Sequence, residues 1–214
     1  MNPEEVKRFL DAATGSIFHR IFYLALFTGM RRGEMLGLRW RDVDLDKAKI
    51  SIVQNLQRLP GRGFIIQEPK SSKGRRQVTL SPSATLMLRE HRMQAQAARV
   101  LLGRTLREDE LVFSHPDSSP VDPDSVSLAF IQIARKAGLP AARLHDLRHT
   151  RASLMLKAGV HPKVVSERLG HATACITLDT YSHVLPGIQE AAALRFEEGL
   201  LGLPSGAPVH ALGS

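Results

Sequence analysis

The residues of this chain whose types and spacing could do chemistry are arginines, histidines, an acid and a tyrosine. They fall in three short segments, and the side chains are Arg31 and Glu34, His145 and Arg148, and His171 and Tyr181. An arginine fork matches the non-bridging oxygens of a phosphate and keeps its positive charge at neutral pH. Histidine can pass protons near neutral pH, and a phenol can attack phosphorus when cations or a base offset its high pKa. Together these groups suit phosphodiester chemistry without a metal or any other cofactor.

Each segment taken alone also has an ordinary structural interpretation. In "TGMRRGEMLGLRW", Arg31 and Glu34 lie three residues apart on one helix face, as an isolated surface ion pair would. In "LGHATACITLDTYSHV", Tyr181 by itself is more typical of a half-buried aromatic than of a nucleophile. The case for chemistry therefore depends on the three segments together.

The segment "RLHDLRHTRASL" also resembles a metal motif, because His145 and His149 bracket an acid as in the H-E-x-x-H of zinc proteases. Asp146 is shorter than the glutamate that serves as the base in that motif. Arg148 would place a positive charge beside the metal, and no third ligand has an obvious place. These features weigh against a zinc hydrolase, which ranks last of three candidate functions.

The composition favours a polyanionic partner. Among 214 residues, 29 Lys and Arg against 21 Asp and Glu give a formal net charge of +8, which is typical of proteins that bind nucleic acid. The single cysteine, Cys175, excludes an intramolecular disulfide and suits a reducing compartment. The first residues lack the apolar core of a signal peptide, and the longest apolar run, "IFYLALFTGM", is about half of a membrane span. We expect a cytoplasmic, nucleoid-associated protein with no membrane partner.

Capping residues and periodicity predict a mainly helical fold. Asn2 and Pro3 begin one helix, and a mostly buried second helix runs from about 17 to 28, where Gly29 ends it. A short helix is predicted in "RRGEMLGLRW", and another from Pro162, with Gly170 as its C-cap. Apolar positions at helical spacing predict three further helices, with stripes at 86, 93, 97 and 100, at 126, 130, 133, 134 and 137, and at 147, 154, 155 and 158.

Three β-like runs interrupt the helices: "KISIVQ", "FIIQ" and "QVTL". The loop "LPGRG" predicts a hairpin between the first two runs, and the basic "EPKSSKGRR" separates the last two. The predicted fold class is therefore α+β, mainly α-helical with a small three-stranded antiparallel sheet.

These motifs resemble the catalytic domain of the tyrosine recombinases, the phage integrase family. The segment from Thr28 to Trp40 is similar to the family's first arginine box, and His145 with Arg148 to its H-x-x-R helix. "LGH" followed by Tyr181 is similar to the family's last box, and "PKSSKGRRQVTL" to its lysine-bearing β-loop. The resemblance covers the chain from "NPEEV" to about Leu185 and implies the DNA breaking–rejoining fold.

The resemblance implies a strand transfer that needs no metal and no cofactor. Tyr181 would attack the scissile phosphate, giving a 3′-phosphotyrosyl link and a free 5′-hydroxyl. Arg31 and Arg148 would hold the non-bridging oxygens. His171 would donate to the phosphate or orient the arginines, and His145 would handle the proton of the tyrosine. Because the phosphotyrosine keeps the bond energy, strands would rejoin without ATP.

The resemblance also implies roles for the rest of the first box and for the basic loop. Glu34 would support the arginine–histidine arrangement from behind. The loop offers Lys70 and Lys73 as the acid that protonates the leaving 5′-oxygen, and Lys70 is preferred because it directly follows the preceding strand. The expected DNA contacts are Lys73, Arg75 and Arg76.

The function implied is site-specific recombination or integration of the DNA of a phage or other mobile element. The partners implied are double-stranded DNA, other protomers of the same chain in a tetrameric synapse, and in some systems accessory DNA-bending proteins. Residues 1–185 would form the catalytic domain, and residues 186–214 a C-terminal helix and a disordered tail. That helix would pack either on a neighbouring protomer or back on its own core.

Two further expectations concern DNA binding and the alternative to an enzyme. No counterpart of the family's N-terminal DNA-gripping domain is recognised, so we expect weak, salt-sensitive DNA binding that depends little on sequence. The alternative to an enzyme is a non-catalytic helical DNA-binding module of the same fold, in which loss of Tyr181 would change nothing measurable.

Overall fold

The computed structural model describes residues 1–69 and 74–170, together with positions 173, 175, 177, 193, 194, 196, 197, 200 and 201. The helices are α1 (Pro3–Ala13), α2 (His19–Thr28), α3 (Arg32–Leu36), α4 (Pro82–Leu101), α5 (Pro123–Lys136), α6 (Asp146–Lys157) and α7 (Pro162–Leu169). The strands are β1 (Val43–Asp44), β2 (Lys49–Ile52), β3 (Asn55–Leu59), β4 (Gly63–Gln67) and β5 (Arg76–Thr79). The predicted class, mainly helical with a small antiparallel sheet, is confirmed. Among the helices of the described residues, none has the length and apolar character needed to cross a membrane.

The ends of the helices follow the predicted capping residues. Asn2 accepts a hydrogen bond from the backbone N–H of Glu5 at 2.8 Å, and the Glu5 carboxylate accepts one from the N–H of Asn2 at 2.8 Å. Gly29 ends α2 with φ +70°, and Gly170 ends α7 with φ +68°, a region that glycine enters without the steric cost of a Cβ. Both glycines lie beside the candidate site, so these two helix ends fix its edges.

The sheet contains strands different from those predicted. Strand β2 pairs antiparallel with β1 on one side and with β5 on the other. The run "FIIQ" lies in β4 and pairs with β3 in a separate two-stranded hairpin. The prediction that "KISIVQ" and "FIIQ" are hairpin partners is wrong, because the polar segment Asn55–Leu59 between them forms its own strand.

An aromatic cluster joins α1, α2 and α5 at the centre of the core. The ring centroids of Phe9 and Phe130 lie 4.6 Å apart, and those of Phe22 and Phe130 lie 5.5 Å apart. Trp40 is buried in the same core. A smaller cluster of Ala152, Leu156, Val165 and Leu169 packs α6 against α7. Since α6 also packs on α2, the core brings the end of α2, which leads to Arg31, close to the helix that carries Arg148.

Helix α4 buries a face other than the predicted one. Leu86, Met93 and Val100 are exposed, whereas Ala84 and Leu88 are fully buried. Arg99 is also buried on the inward side, where it pairs with Glu110. The apolar stripe therefore indicated the helix correctly but not its buried face.

Little of the predicted C-terminal region lies within the described residues. Positions 193, 194, 196, 197, 200 and 201 are helical, and the apolar side chains among them are exposed, namely Leu194, Phe196, Leu200 and Leu201. The two ways in which this helix could pack remain predictions.

The aromatic cluster provides a test of the core. We expect Phe130→Ala to lower the free energy of unfolding by about 3–5 kcal/mol, because the change opens a cavity between three helices. Leu128 is 57% exposed on the same helix, so Leu128→Ala should change stability by less than about 0.5 kcal/mol. Urea unfolding of the two variants measures the difference. Equal losses would contradict the packing described for α5.

Candidate active site

A buried carboxylate lies at the centre of the site. Glu34, in the first turn of α3, is buried and accepts hydrogen bonds from the backbone N–H and the Nη1 of Arg31, both at 2.8 Å. The Nη1 and Nη2 of Arg76 donate to its Oε1 and Oε2 at 3.0 and 2.8 Å. The expected Arg31–Glu34 pair is therefore present, and a second arginine from strand β5 completes it.

The two arginines keep this carboxylate ionised. Burial raises the pKa of Glu34, but the hydrogen bonds and positive charges of Arg76 and Arg31 outweigh it and bring the pKa below its ordinary value. The side chain of Arg31 is 45% exposed, so one end of the network reaches the surface. The buried carboxylate of Glu34, itself held by Arg76, thus fixes the position of the Arg31 guanidinium.

Arg76 does not lie where its expected role as a DNA contact requires. Its side chain is only 6% exposed, and its Nε donates to the carbonyl of Arg168 at 2.8 Å. Its neighbour Arg75 is exposed and pairs with Glu68. Of the two arginines, only Arg75 therefore has the surface position expected of a phosphate contact.

Arg148 joins the ends of two helices. It lies on α6, is buried, and donates from Nη1 to the carbonyl of Gly29 and from Nη2 to the carbonyl of Leu169, both at 2.6 Å. Gly29 precedes Arg31 by two residues, and Leu169 precedes His171 by two residues. One guanidinium therefore sets the end of α2 beside the end of α7.

His145 lies directly before α6, close enough to Arg148 and Arg31 for their charges to affect its pKa. Burial lowers the pKa of His145, and electrostatic interactions with His149, Arg148 and Arg31 lower it further. The rings of His145 and His149 meet edge to face, with centroids 4.7 Å apart. The imidazole of His145 is therefore neutral at pH 7 and can accept a proton.

A cleft of about 620 Å³ runs in front of Arg31. Its lining includes Arg31, Glu34, Arg58, Pro69, Gly74 and Gly170. Lys70 directly follows Pro69, and His171 directly follows Gly170. Lys70, Lys73, His171 and Tyr181 themselves lie outside the described residues. The structure thus brings Arg31 together with the chain ends that lead to Lys70 and His171.

The metal interpretation of the histidine segment is not favoured. Within residues 1–69 and 74–170 and the other described positions, no group of three or more His, Cys, Asp or Glu could hold a metal ion. His145 and His149 instead pack ring against ring beside Arg148.

The sequence model described as "Phage integrase family" matches residues 1–187. The chain belongs to the phage integrase family. It is 32% identical over 194 residues to a XerC-like tyrosine recombinase of Caldanaerobacter subterraneus subsp. tengcongensis, covering 86% of this chain and 50% of that protein. It is 28% identical to the ICEBs1 integrase of Bacillus subtilis, covering 92% of this chain and 53% of the relative. The chain thus spans about half the length of the curated relatives it matches.

Solved structures support the fold. The Tn1549 transposon integrase in complex with transposon right end DNA superposes with a TM-score of 0.77 at 21% identity, over 92% of this chain and 65% of that one. The XerA recombinase superposes with a TM-score of 0.67 at 23% identity, over 94% of this chain and 64% of that one. At these identities the likeness shows a shared fold.

The buried position of Arg76 differs from the expected surface position, although the sequence contains a signal for it. Side chains alternate between the two faces of a strand, so Arg76 shares the face of Val78, which is fully buried. Gln77 and Thr79 point to the exposed face. This alternation predicts an inward arginine, which must find a buried acid.

The pH dependence of stability tests the carboxylate network. Because the pKa of Glu34 is lowered in the folded state, the unfolded chain takes up its proton first as the pH falls. The stabilisation is therefore complete above the ordinary pKa of 4.5 and is lost as the pH falls below it. Glu34→Gln should cost about 3–5 kcal/mol near pH 7, since Arg76 is left buried without its partner. It should also flatten the acid limb of the stability profile.

Urea unfolding between pH 7 and pH 3 measures both effects. Glu4→Gln removes an exposed carboxylate from α1 and is the control. If Glu34→Gln kept the full acid dependence of the wild type, the ion network could not be the source of it.

Proposed function

We propose that this chain cleaves and rejoins DNA strands at specific sites through a covalent link to Tyr181, as an integrase or recombinase of a mobile element. The observation that carries the proposal is the cleft itself. Arg31 lines it, supported by a buried acid and a second arginine. The segments that lead to Lys70 and His171 open at the same cleft. Family membership adds the chemistry that these residue types suit.

In the proposed reaction the Oη of Tyr181 attacks phosphorus and the bond from phosphorus to the 5′-oxygen breaks. The phenolic proton passes to His145, whose lowered pKa leaves it neutral and able to accept. Lys70 gives a proton to the leaving 5′-oxygen. The reverse sequence, with a 5′-hydroxyl as the nucleophile, rejoins the strand and frees the tyrosine, so no external energy source is needed.

The charge that develops on the phosphate is met by fixed cations. Arg31 holds the non-bridging oxygens in the proposed complex and His171 donates to the phosphate, while Arg148, buried and bonded to the carbonyls of Gly29 and Leu169, adds its positive charge from the interior. Glu34 neutralises part of the positive charge in the interior, and the exposed fraction of Arg31 faces the cleft. Such preorganised donors stabilise charge without reorganising during the reaction.

Double-stranded DNA is the proposed substrate, with Lys73 and Arg75 on the basic loop as backbone contacts. The exposed position of Arg75 supports this assignment. We also propose that protomers of this protein assemble on DNA as a synapse in the nucleoid. We expect this binding to depend strongly on salt, because phosphate contacts dominate it.

Covalent trapping tests the nucleophile. The substrate is a pool of nicked duplexes with randomised sequence around the nick, from which the short 5′-hydroxyl fragment diffuses away after cleavage. With EDTA present, wild type should give a protein–DNA adduct on a denaturing gel, and Tyr181→Phe should give none. The chain has two tyrosines, and the half-buried Tyr23 stacks on Phe27 beside the core, so Tyr23→Phe is a matched control that should keep the adduct.

The outcomes separate the rival functions. An adduct that survives in Tyr181→Phe would assign the nucleophile elsewhere. Wild type that binds the enriched duplexes at saturation but yields no adduct would instead support the non-catalytic DNA-binding module.

Salt dependence tests the basic loop. We expect the logarithm of the DNA association constant to fall linearly with the logarithm of the salt concentration. Arg75→Gln should weaken binding to all sequences alike. It should also make the negative slope of this plot shallower by about 0.9, as the loss of one phosphate contact does. Arg107 forms a surface pair with Asp109 in another loop, so Arg107→Gln is the control and should leave the slope unchanged. Fluorescence anisotropy at several salt concentrations measures both; equal slopes for the two variants would remove Arg75 from the interface.

A further inference from the structure

We propose that Arg76 is a positioning residue, which fixes Arg31, the base of the basic loop and the end of α7 relative to one another. This inference rests on the proposed function, because its consequence is read in strand cleavage. Arg76 itself contacts no substrate in this assignment. Its side chain is almost wholly buried and makes contacts in three directions.

The first direction leads to Arg31. Both terminal nitrogens of Arg76 donate to the carboxylate of Glu34, whose two oxygens also accept from Arg31. The Glu34 carboxylate therefore cannot rotate without losing a bond to one arginine or the other. In this way Arg76 limits where the guanidinium of Arg31 can lie in the cleft.

The second direction leads to the end of α7. The Nε of Arg76 donates to the carbonyl of Arg168, in the last turn of that helix. The same guanidinium packs on Gly170, where an added Cβ would lie 2.7 Å from Nη1 and 3.0 Å from Cζ. The residue after Gly170 is His171, so Arg76 sets the point from which the chain leaves toward the last box.

The third direction leads to the basic loop. The Nη1 of Arg76 lies 3.4 Å from the carbonyl oxygen of Gly74, a long hydrogen bond. Gly74 and Pro69 close the base of the loop, since a Cβ on Gly74 would lie 2.5 Å from the Cβ of Pro69. Lys70 to Lys73 lie between them, so the guanidinium also contacts the base from which the proposed acid projects.

Only an arginine can make this set of contacts. The planar fork directs Nη1 and Nη2 at the two carboxylate oxygens while Nε points to a carbonyl on another element. A lysine has one nitrogen and a shorter reach, so it would keep the charge and lose the simultaneous contacts. This difference separates positioning from simple neutralisation of Glu34.

The test compares Arg76→Lys with a matched substitution outside the site. Arg99 is 3% exposed and uses Nε and Nη2 to bind Glu110, so Arg99→Lys removes an equivalent buried fork. Both variants should lose similar stability in urea unfolding. On enriched nicked duplexes at saturation, Arg76→Lys should form the Tyr181 adduct about 100-fold more slowly in a single turnover, because the reacting groups are misplaced. Arg99→Lys should stay within about threefold of wild type, because its site is independent of the cleft.

A DNA-binding measurement distinguishes positioning from direct contact. Arg76→Met and Arg99→Met should show the same negative salt slope of DNA binding. The loss of a phosphate contact would instead make the slope shallower by about 0.9. A shallower slope would overturn the inference and restore the original expectation for Arg76. Equal adduct rates in the two lysine variants would overturn it as well.

Hydrogen exchange provides a readout that needs no catalysis. In the Arg76→Lys protein, amides of residues 30–36 and 166–170 should both exchange faster, while those of α5 should keep their protection. Unchanged exchange in both segments would refute the positioning role. If wild type formed no adduct, the proposed function would fail, and this measurement would still decide whether Arg76 couples the segments.

Discussion

The buried carboxylate of Glu34 is the interaction on which the site depends. An ionised carboxylate loses several kcal/mol of hydration on burial, and only close, well-aligned donors offset that loss. Arg31 and Arg76 supply those donors, and the three side chains together carry one excess positive charge. Because Arg76 is buried and Arg31 is half exposed, the excess charge lies toward the cleft. The network therefore neutralises the buried carboxylate and orients a cation toward the cleft.

Helix ends supply the remaining order around the cleft. The last carbonyls of a helix have no partner within it and carry partial negative charge. Here the carbonyls of Gly29, Arg168 and Leu169 accept from arginine side chains of other elements. Glycine suits this junction because Gly29 has a φ of +70°, and a Cβ there would also lie 2.7 Å from the Cδ2 of Leu169. The same arginine–carbonyl hydrogen bonds thus cap the two helices and hold the helix ends together at the site.

Burial and neighbouring positive charges together lower the pKa of one base in the site, His145. The imidazole is therefore neutral where the guanidinium groups are charged. A neutral base beside fixed cations suits a reaction that removes a proton from a phenol and gathers negative charge on a phosphate. Arg31 therefore takes part both in the carboxylate network and in lowering the pKa of His145.

The amino-acid sequence by itself determined the helix caps, the inward stripe of α5, the mainly helical class and the arginine and histidine boxes. These features are local, because a cap or a helical stripe is decided within a few residues. Only the tertiary structure decided that Asn55–Leu59 is a strand, that α4 buries Ala84 and Leu88, and that Arg76 pairs with Glu34. The partner that makes each arrangement favourable lies far along the chain, and for Arg76 it is Glu34, 42 positions away. A polar side chain enters the interior only when such a partner is present, and the partner is brought there by the fold.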